Sequence, residues 1–136
     1  MSRIHSRRIV PSSKRAQAAW VLYGALLGNL HDAGEAIERC AADRGRDALF
    51  QSQALWESVL ERLEEMSCNA RELPAEAKAG MPRIDWCTWE HLPDTLAGSP
   101  RERRDRLTFV IDTLVPDTLV AAEDYRRALQ PQASRA

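Results

Sequence analysis

From Ala19 onward the apolar residues fall at Trp20, Tyr23, Leu26 and Leu27, Leu30, Ala33 and Gly34, Ile37, and Cys40 and Ala41. Steps of three and four keep one stripe of a helix facing inward. Ser12 or Ser13 is placed to cap the start of this first long helix, and Asp43-Arg44-Gly45 supplies a stop with glycine past the end. The pattern resumes near Asp47 and runs through Phe50, Trp56, Val59 and Leu60, Leu63, Met66, Ala70 and Leu73, with Glu57, Glu61, Glu64 and Glu65 on the other side. Pro74 breaks or kinks that second helix, because a proline cannot supply the amide the backbone ladder needs. Only a few residues join the two, so they are expected to pack antiparallel, each covering the other's stripe.

Beyond Pro74 a short helical turn, AEAKAG, leads into MPRIDWCTWEHLP at 81–93. Ser99-Pro100-Arg101-Glu102 then opens a further helix. Serine stands at the cap, proline at the first helical position and glutamate at the third, which is the signature of a capping box. Leu107, Val110, Ile111 and Leu114 face inward up to Pro116, where the helix is expected to divide and resume from Asp117 as a cap through Leu119, Val120, Glu123 and Tyr125 to Leu129. Strand signals are nearly absent. The chain therefore reads as an all-α, up-and-down bundle of four to five helices capped by a short tryptophan-containing helix or loop. Residues 1–11 read as a flexible basic tail, 12–130 as the bundle domain and 131–136 as a frayed end.

Composition adds limits. At 136 residues the chain is long enough for a core of its own. A hydrophobic fraction of 44%, a charged fraction of 29% and a net charge of −1 are ordinary for a soluble globule and give no overall pull toward nucleic acid or anionic membrane. Cys40, Cys68 and Cys87 are an odd number with no paired spacing, which points to a reducing compartment, the cytoplasm. No apolar run approaches the roughly 18 residues of a membrane span, and no apolar stretch follows the basic start as a signal peptide requires.

Candidate chemistry is sparse. In the 81–93 stretch, Ile84, Trp86, Trp89 and Leu92 share one side, and a tryptophan-rich element of this kind is an efficient seal for a bundle. Cys87 and His91 stand four apart and share a helical face, but two ligands do not make a metal site, and neither a metal nor another cofactor is expected. His31 with Glu35 one turn later has the spacing of a base and its orienting carboxylate, or of a histidine paired on a helix flank. Arg101, Arg103, Arg104 and Arg106 are interrupted by Glu102 and Asp105, which weakens their field. The N-terminal group Arg3, His5, Arg7, Arg8, Lys14 and Arg15 contains no acid and is the first choice for polyanion contact.

Three pieces in order, Leu73-Pro74, Pro82-Arg83-Ile84-Asp85-Trp86, and Phe109-Val110-Ile111 through Leu114-Val115-Pro116, resemble the HEPN superfamily, specifically its HepT-like subgroup, over roughly residues 16 to 129. The resemblance implies an all-helical bundle, commonly a homodimer. Many such proteins are metal-independent ribonuclease toxins paired with a small nucleotidyltransferase antitoxin. Active members carry an Arg-x4–6-His motif, often with a tyrosine two residues on, in which histidine serves as acid and base while arginine neutralises the scissile phosphate. Ungapped placement from Trp86 puts those roles at Pro93, Gly98 and Pro100, none of which can do that chemistry.

The expectation is thus a non-catalytic, HEPN-like interaction module, dimeric and partnered by a nucleotidyltransferase-type protein in a toxin–antitoxin or related system, with Trp86, Trp89 and Arg83 as candidate binding residues. The rival is a diverged ribonuclease using His91 or His31 with an arginine brought close in space, such as Arg103 or Arg104. A third class is a small-molecule or metal sensor with a pocket near Trp86 and Trp89.

Overall fold

The computed structural model describes residues 14–44 and 46–129. The tail at 1–11, the Ser12 or Ser13 cap, Gly45 as a helix stop, Arg3, His5, Arg7 and Arg8 of the N-terminal basic group, and the end at 131–136 lie outside the described residues. Eight α-helices occur among those described: α1 (Lys14–Arg44), α2 (Arg46–Gln51), α3 (Gln53–Glu72), α4 (Ala75–Ala79), α5 (Trp86–Glu90), α6 (Leu92–Thr95), α7 (Pro100–Phe109) and α8 (Val115–Leu129). A single π-helical turn, Val110–Leu114, joins α7 to α8, and there is no strand among the described residues. The protein is an all-α bundle.

The second helix differs from the pattern's continuous run. It breaks at Ser52, which is extended (φ −103°, ψ 114°) and accepts the Leu55 amide on its side-chain oxygen at 3.3 Å. A serine hydroxyl competes well for an exposed amide, so one extended residue caps α3 while the chain barely leaves its path. The bend sets Phe50 against Trp56, with ring centroids 5.2 Å apart. At the far end Leu73 is extended ahead of Pro74, as the proline's bulk requires of its predecessor.

Pro116 does not divide the last helix. Phe109, Val110 and Val115 all keep helical dihedrals, and the Val115 amide donates to the Val110 carbonyl five residues back. Proline lacks an amide hydrogen and crowds the carbonyl one turn earlier, so a regular helix resists it. Widening the preceding turn shifts that carbonyl ladder, and α7, the π turn and α8 form one rod with Asp117 inside it rather than at a new cap.

Three long rods thus make the bundle. α1 packs on α3 through fully buried Leu27, Leu30 and Ile37 on one side and Val59, Leu63, Met66 and Ala70 on the other. Gly34 lies where all three rods converge: a Cβ there would stand 2.7 Å from Leu119 Cδ2 and 3.3 Å from Met66 Cε. Contacts of α1 with α8 step in opposite directions along the two helices, from Gly34 against Leu119 through His31 near Glu123 to Gly28 beside Arg126. α8 is therefore antiparallel to α1 and runs in the same direction as α3.

Residues 73–99 carry the chain back along the bundle to make that possible. Arg83 meets Asp124 and Tyr125, Trp89 meets Ser67 and Thr118, and the carbonyls of Thr95 and Ala97 accept from Arg106. The tryptophan-bearing segment seals the bundle along its flank, between α3 and α8. Ile84, Trp86, Trp89 and Leu92 are all buried, as their shared side implies.

Candidate functional site

Both indoles of the 81–93 segment are spent on packing. Trp89 is wholly buried; its Nε1 donates to Thr118 Oγ1 at 2.9 Å, and its carbonyl accepts from Ser67 Oγ at 2.8 Å. Trp86 Nε1 donates to the Met81 carbonyl at 3.0 Å. With each polar edge satisfied, these rings act as anchors and are not presented to a ligand. Arg83 is at the surface, where its guanidinium bonds Asp124 Oδ2 at 2.8 Å and lies 5.9 Å from the Tyr125 ring centre. The hydrogen bond to Asp124, more than the charge beside it, raises the Arg83 pKa above its ordinary value. That bond clamps the returning segment to α8, while the Lys78–Glu90 ion pair ties α4 to α5 within the segment.

His91 is exposed, and its ring contacts are to Cys87: Nδ1 lies 2.9 Å from the Cys87 carbonyl and 3.9 Å from Cys87 Sγ. The arginine cluster stays apart from it. Arg104 is stacked 4.5 Å over the Phe50 ring and Arg106 holds the Thr95 and Ala97 carbonyls, while Arg101 and Arg103 are exposed on α7.

His31 is in a denser setting than its sequence neighbours reveal. Its side chain is only 13% exposed, and its Nε2 faces Glu123 Oε1 of α8 at 3.5 Å. Nδ1 faces Glu35 Oε1 at 3.8 Å and Asp32 Oδ1 at 4.0 Å; that atom is buried and makes no hydrogen bond. Glu123 in turn holds Arg126 (3.6 Å) and Arg127 (3.5 Å). The His31–Glu35 spacing was visible along the chain. Glu123 and its two arginines were not, since they arrive from a helix some ninety residues on.

An exposed apolar surface lies elsewhere, on the N-terminal part of α1. Val21 is 73% and Leu22 53% exposed, with exposed Ala18 and Ala25 completing one helical stripe. Beside it a recess of ≈ 370 Å³ is lined by Trp20, Tyr23, Ala77, Met81, Tyr125 and Leu129. Trp20 and Tyr23 meet edge to face, with centroids 5.8 Å apart. Trp86 and Trp89 are not among the residues that line this recess. A second groove of ≈ 610 Å³ between α1 and α3 is open and of mixed charge, bordered by Asp32, Arg39, Glu61, Arg62 and Glu65.

No helix among the described residues is long and apolar enough to cross a membrane. No family model, curated protein or solved structure matches the chain.

Proposed function

We propose that the protein is a non-catalytic, HEPN-like helical interaction module that works as a cytoplasmic homodimer in a toxin–antitoxin or nucleotidyltransferase-associated system. The observation that carries this reading is the bare stripe of Val21 and Leu22 on α1, adjoining the Trp20–Tyr23 recess. Removing a valine or leucine side chain from water is worth about 1.5–3 kcal/mol, so a second copy laid on this face has a ready driving force. The HEPN part of the reading rests on the resemblance at residues 73–116.

Two arrangements argue against catalysis. The ring of His91 is engaged with Cys87 and no arginine. Arg126 and Arg127 reach His31 only through Glu123, whose carboxylate offsets the charge a scissile phosphate needs. That same His31–Glu123–arginine chain is nevertheless the one feature favouring a diverged ribonuclease, and it replaces the 101–106 cluster as the source of its arginine.

Light scattering on the eluting protein tests the first reading. The wild-type chain is expected at twice its 15.3 kDa mass, and the Val21→Glu/Leu22→Glu variant at that mass itself. A monomeric wild type ends the dimer proposal. Incubation with labelled RNA at low salt, where phosphate contacts are strongest, separates the rival. Cleavage abolished by His31→Ala would install the ribonuclease; intact RNA supports the interaction module. A nucleotidyltransferase in the neighbouring reading frame that co-purifies with the protein on co-expression supports the two-gene setting.

A further inference from the structure

We infer that His31, Asp32 and Glu35 form a binding site for a divalent first-row transition cation. One ligand atom from each lies within 4.8 Å of the other two. His31 Nδ1 is 3.8 Å from Glu35 Oε1 and 4.0 Å from Asp32 Oδ1, too far for a hydrogen bond to either. Two ligand atoms bound to one ion at about 2.1 Å stand roughly 3 to 4.2 Å apart, depending on the angle between them, and both separations fall in that span.

The second observation is the histidine itself. Nδ1 is buried and unpartnered, and what faces it is two carboxylates, which only accept. On the ring's other side, Nε2 faces Glu123. At 3.5 Å from Nε2, Glu123 stands where an outer-shell carboxylate orients a metal-binding histidine; a ring proton on that side leaves the Nδ1 lone pair for an ion between Asp32 and Glu35. Glu123 is kept in that role by Arg126 and Arg127. Asp32 and Glu35 pair with no lysine or arginine among the described residues. Three acceptors converge with nothing positive between them, and a cation supplies what is missing. One imidazole and two carboxylates, with no thiolate, suit Mn²⁺, Fe²⁺, Co²⁺ or Zn²⁺. Water or a partner's side chain completes the shell, because both carboxylates open to solvent. Cys87 and His91 offer only two ligands, whereas His31, Asp32 and Glu35 bring three together on one turn of α1.

Titration of the full-length chain with Co²⁺, followed by its visible absorption, tests the site. One Co²⁺ per chain is expected, without the near-ultraviolet band of a thiolate ligand. Asp32→Asn and Glu35→Gln alter exposed side chains and leave the fold intact by circular dichroism; each is expected to weaken binding about tenfold or more, and the double variant to remove it. Glu123→Gln is expected to weaken binding about tenfold through the histidine's orientation. His91→Ala should change nothing. The inference is overturned by a wild type that takes up no Co²⁺, by a double variant that binds as the wild type does, or by a thiolate band lost in His91→Ala, which would place the ion at Cys87. None of these variants touches the apolar stripe, so dimer mass reports on that surface independently.

Discussion

Gly98 turns the chain into α7 with a φ of +115°, in the region where an L side chain strains the backbone. A Cβ there would also stand 2.7 Å from Glu102 Oε1. Gly98→Ala is expected to cost about 1–3 kcal/mol in urea unfolding. Gly24, inside α1 with nothing within 4 Å of its would-be Cβ, should behave oppositely: Gly24→Ala removes unfolded-state freedom and is expected to add about 0.5–1 kcal/mol. The capping box next door was legible as Ser99 and Glu102 three apart; the glycine's dihedral was not, because nothing in a sequence fixes the sign of φ. Hydrogen bonds from Ser99 first, then the Arg106 charge, hold the Glu102 carboxyl below its ordinary range. A folded-state pKa depressed in this way contributes stability that is complete above the ordinary carboxylate range and is lost as pH falls through the lowered value. The urea midpoint of the wild type should therefore exceed that of Glu102→Gln near neutrality, with the gap closing under acid; a gap independent of pH would rule the carboxylate's charge out of the cap.

At the scale of elements, the apolar period located every rod but not its interruptions. Residues on both sides of Ser52 keep the same inward phase, so the break there leaves no trace in the pattern and is visible only as a serine hydroxyl placed to take the Leu55 amide. At Pro116 the local rule pointed to a division that the preceding π turn makes unnecessary. Spacing did give the burial of Ile84, Trp86, Trp89 and Leu92, while the path they follow between α3 and α8 depends on partners such as Ser67 and Thr118. The buried Trp89–Thr118 bond offers a direct measure of that seal. Thr118→Val strands the indole N–H and is expected to cost about 1–3 kcal/mol; Trp89→Phe strands the hydroxyl and opens a small void, at about 2 kcal/mol or more. Because stranding one partner is what hurts, the double variant should lose distinctly less than the sum of the two. Additive losses would mean that the hydrogen bond contributes nothing beyond packing.

For the molecule as a whole, periodicity says which side of a helix is covered and leaves open what covers it. The pattern therefore foretold the apolar residues of α1 and α8 but neither their antiparallel meeting nor the gathering of His31, Asp32, Glu35 and Glu123. It also placed Trp20 and Tyr23 in the inward stripe without showing that Val21 and Leu22, on the next face, would remain bare. A dimer closed through that face couples unfolding to dissociation, so its thermal midpoint must climb with protein concentration. Val21→Glu/Leu22→Glu should flatten that dependence, and single surface charges of this kind each change monomer stability by no more than about 0.5 kcal/mol. Val120 on α8 is a stringent control, since it is 59% exposed yet lies on a different rod. Val120→Glu is expected to keep the concentration dependence of the wild type. Should Val120→Glu flatten the curve while the α1 variant does not, the pairing surface belongs to α8, and the stripe beside the Trp20–Tyr23 recess loses its assigned role.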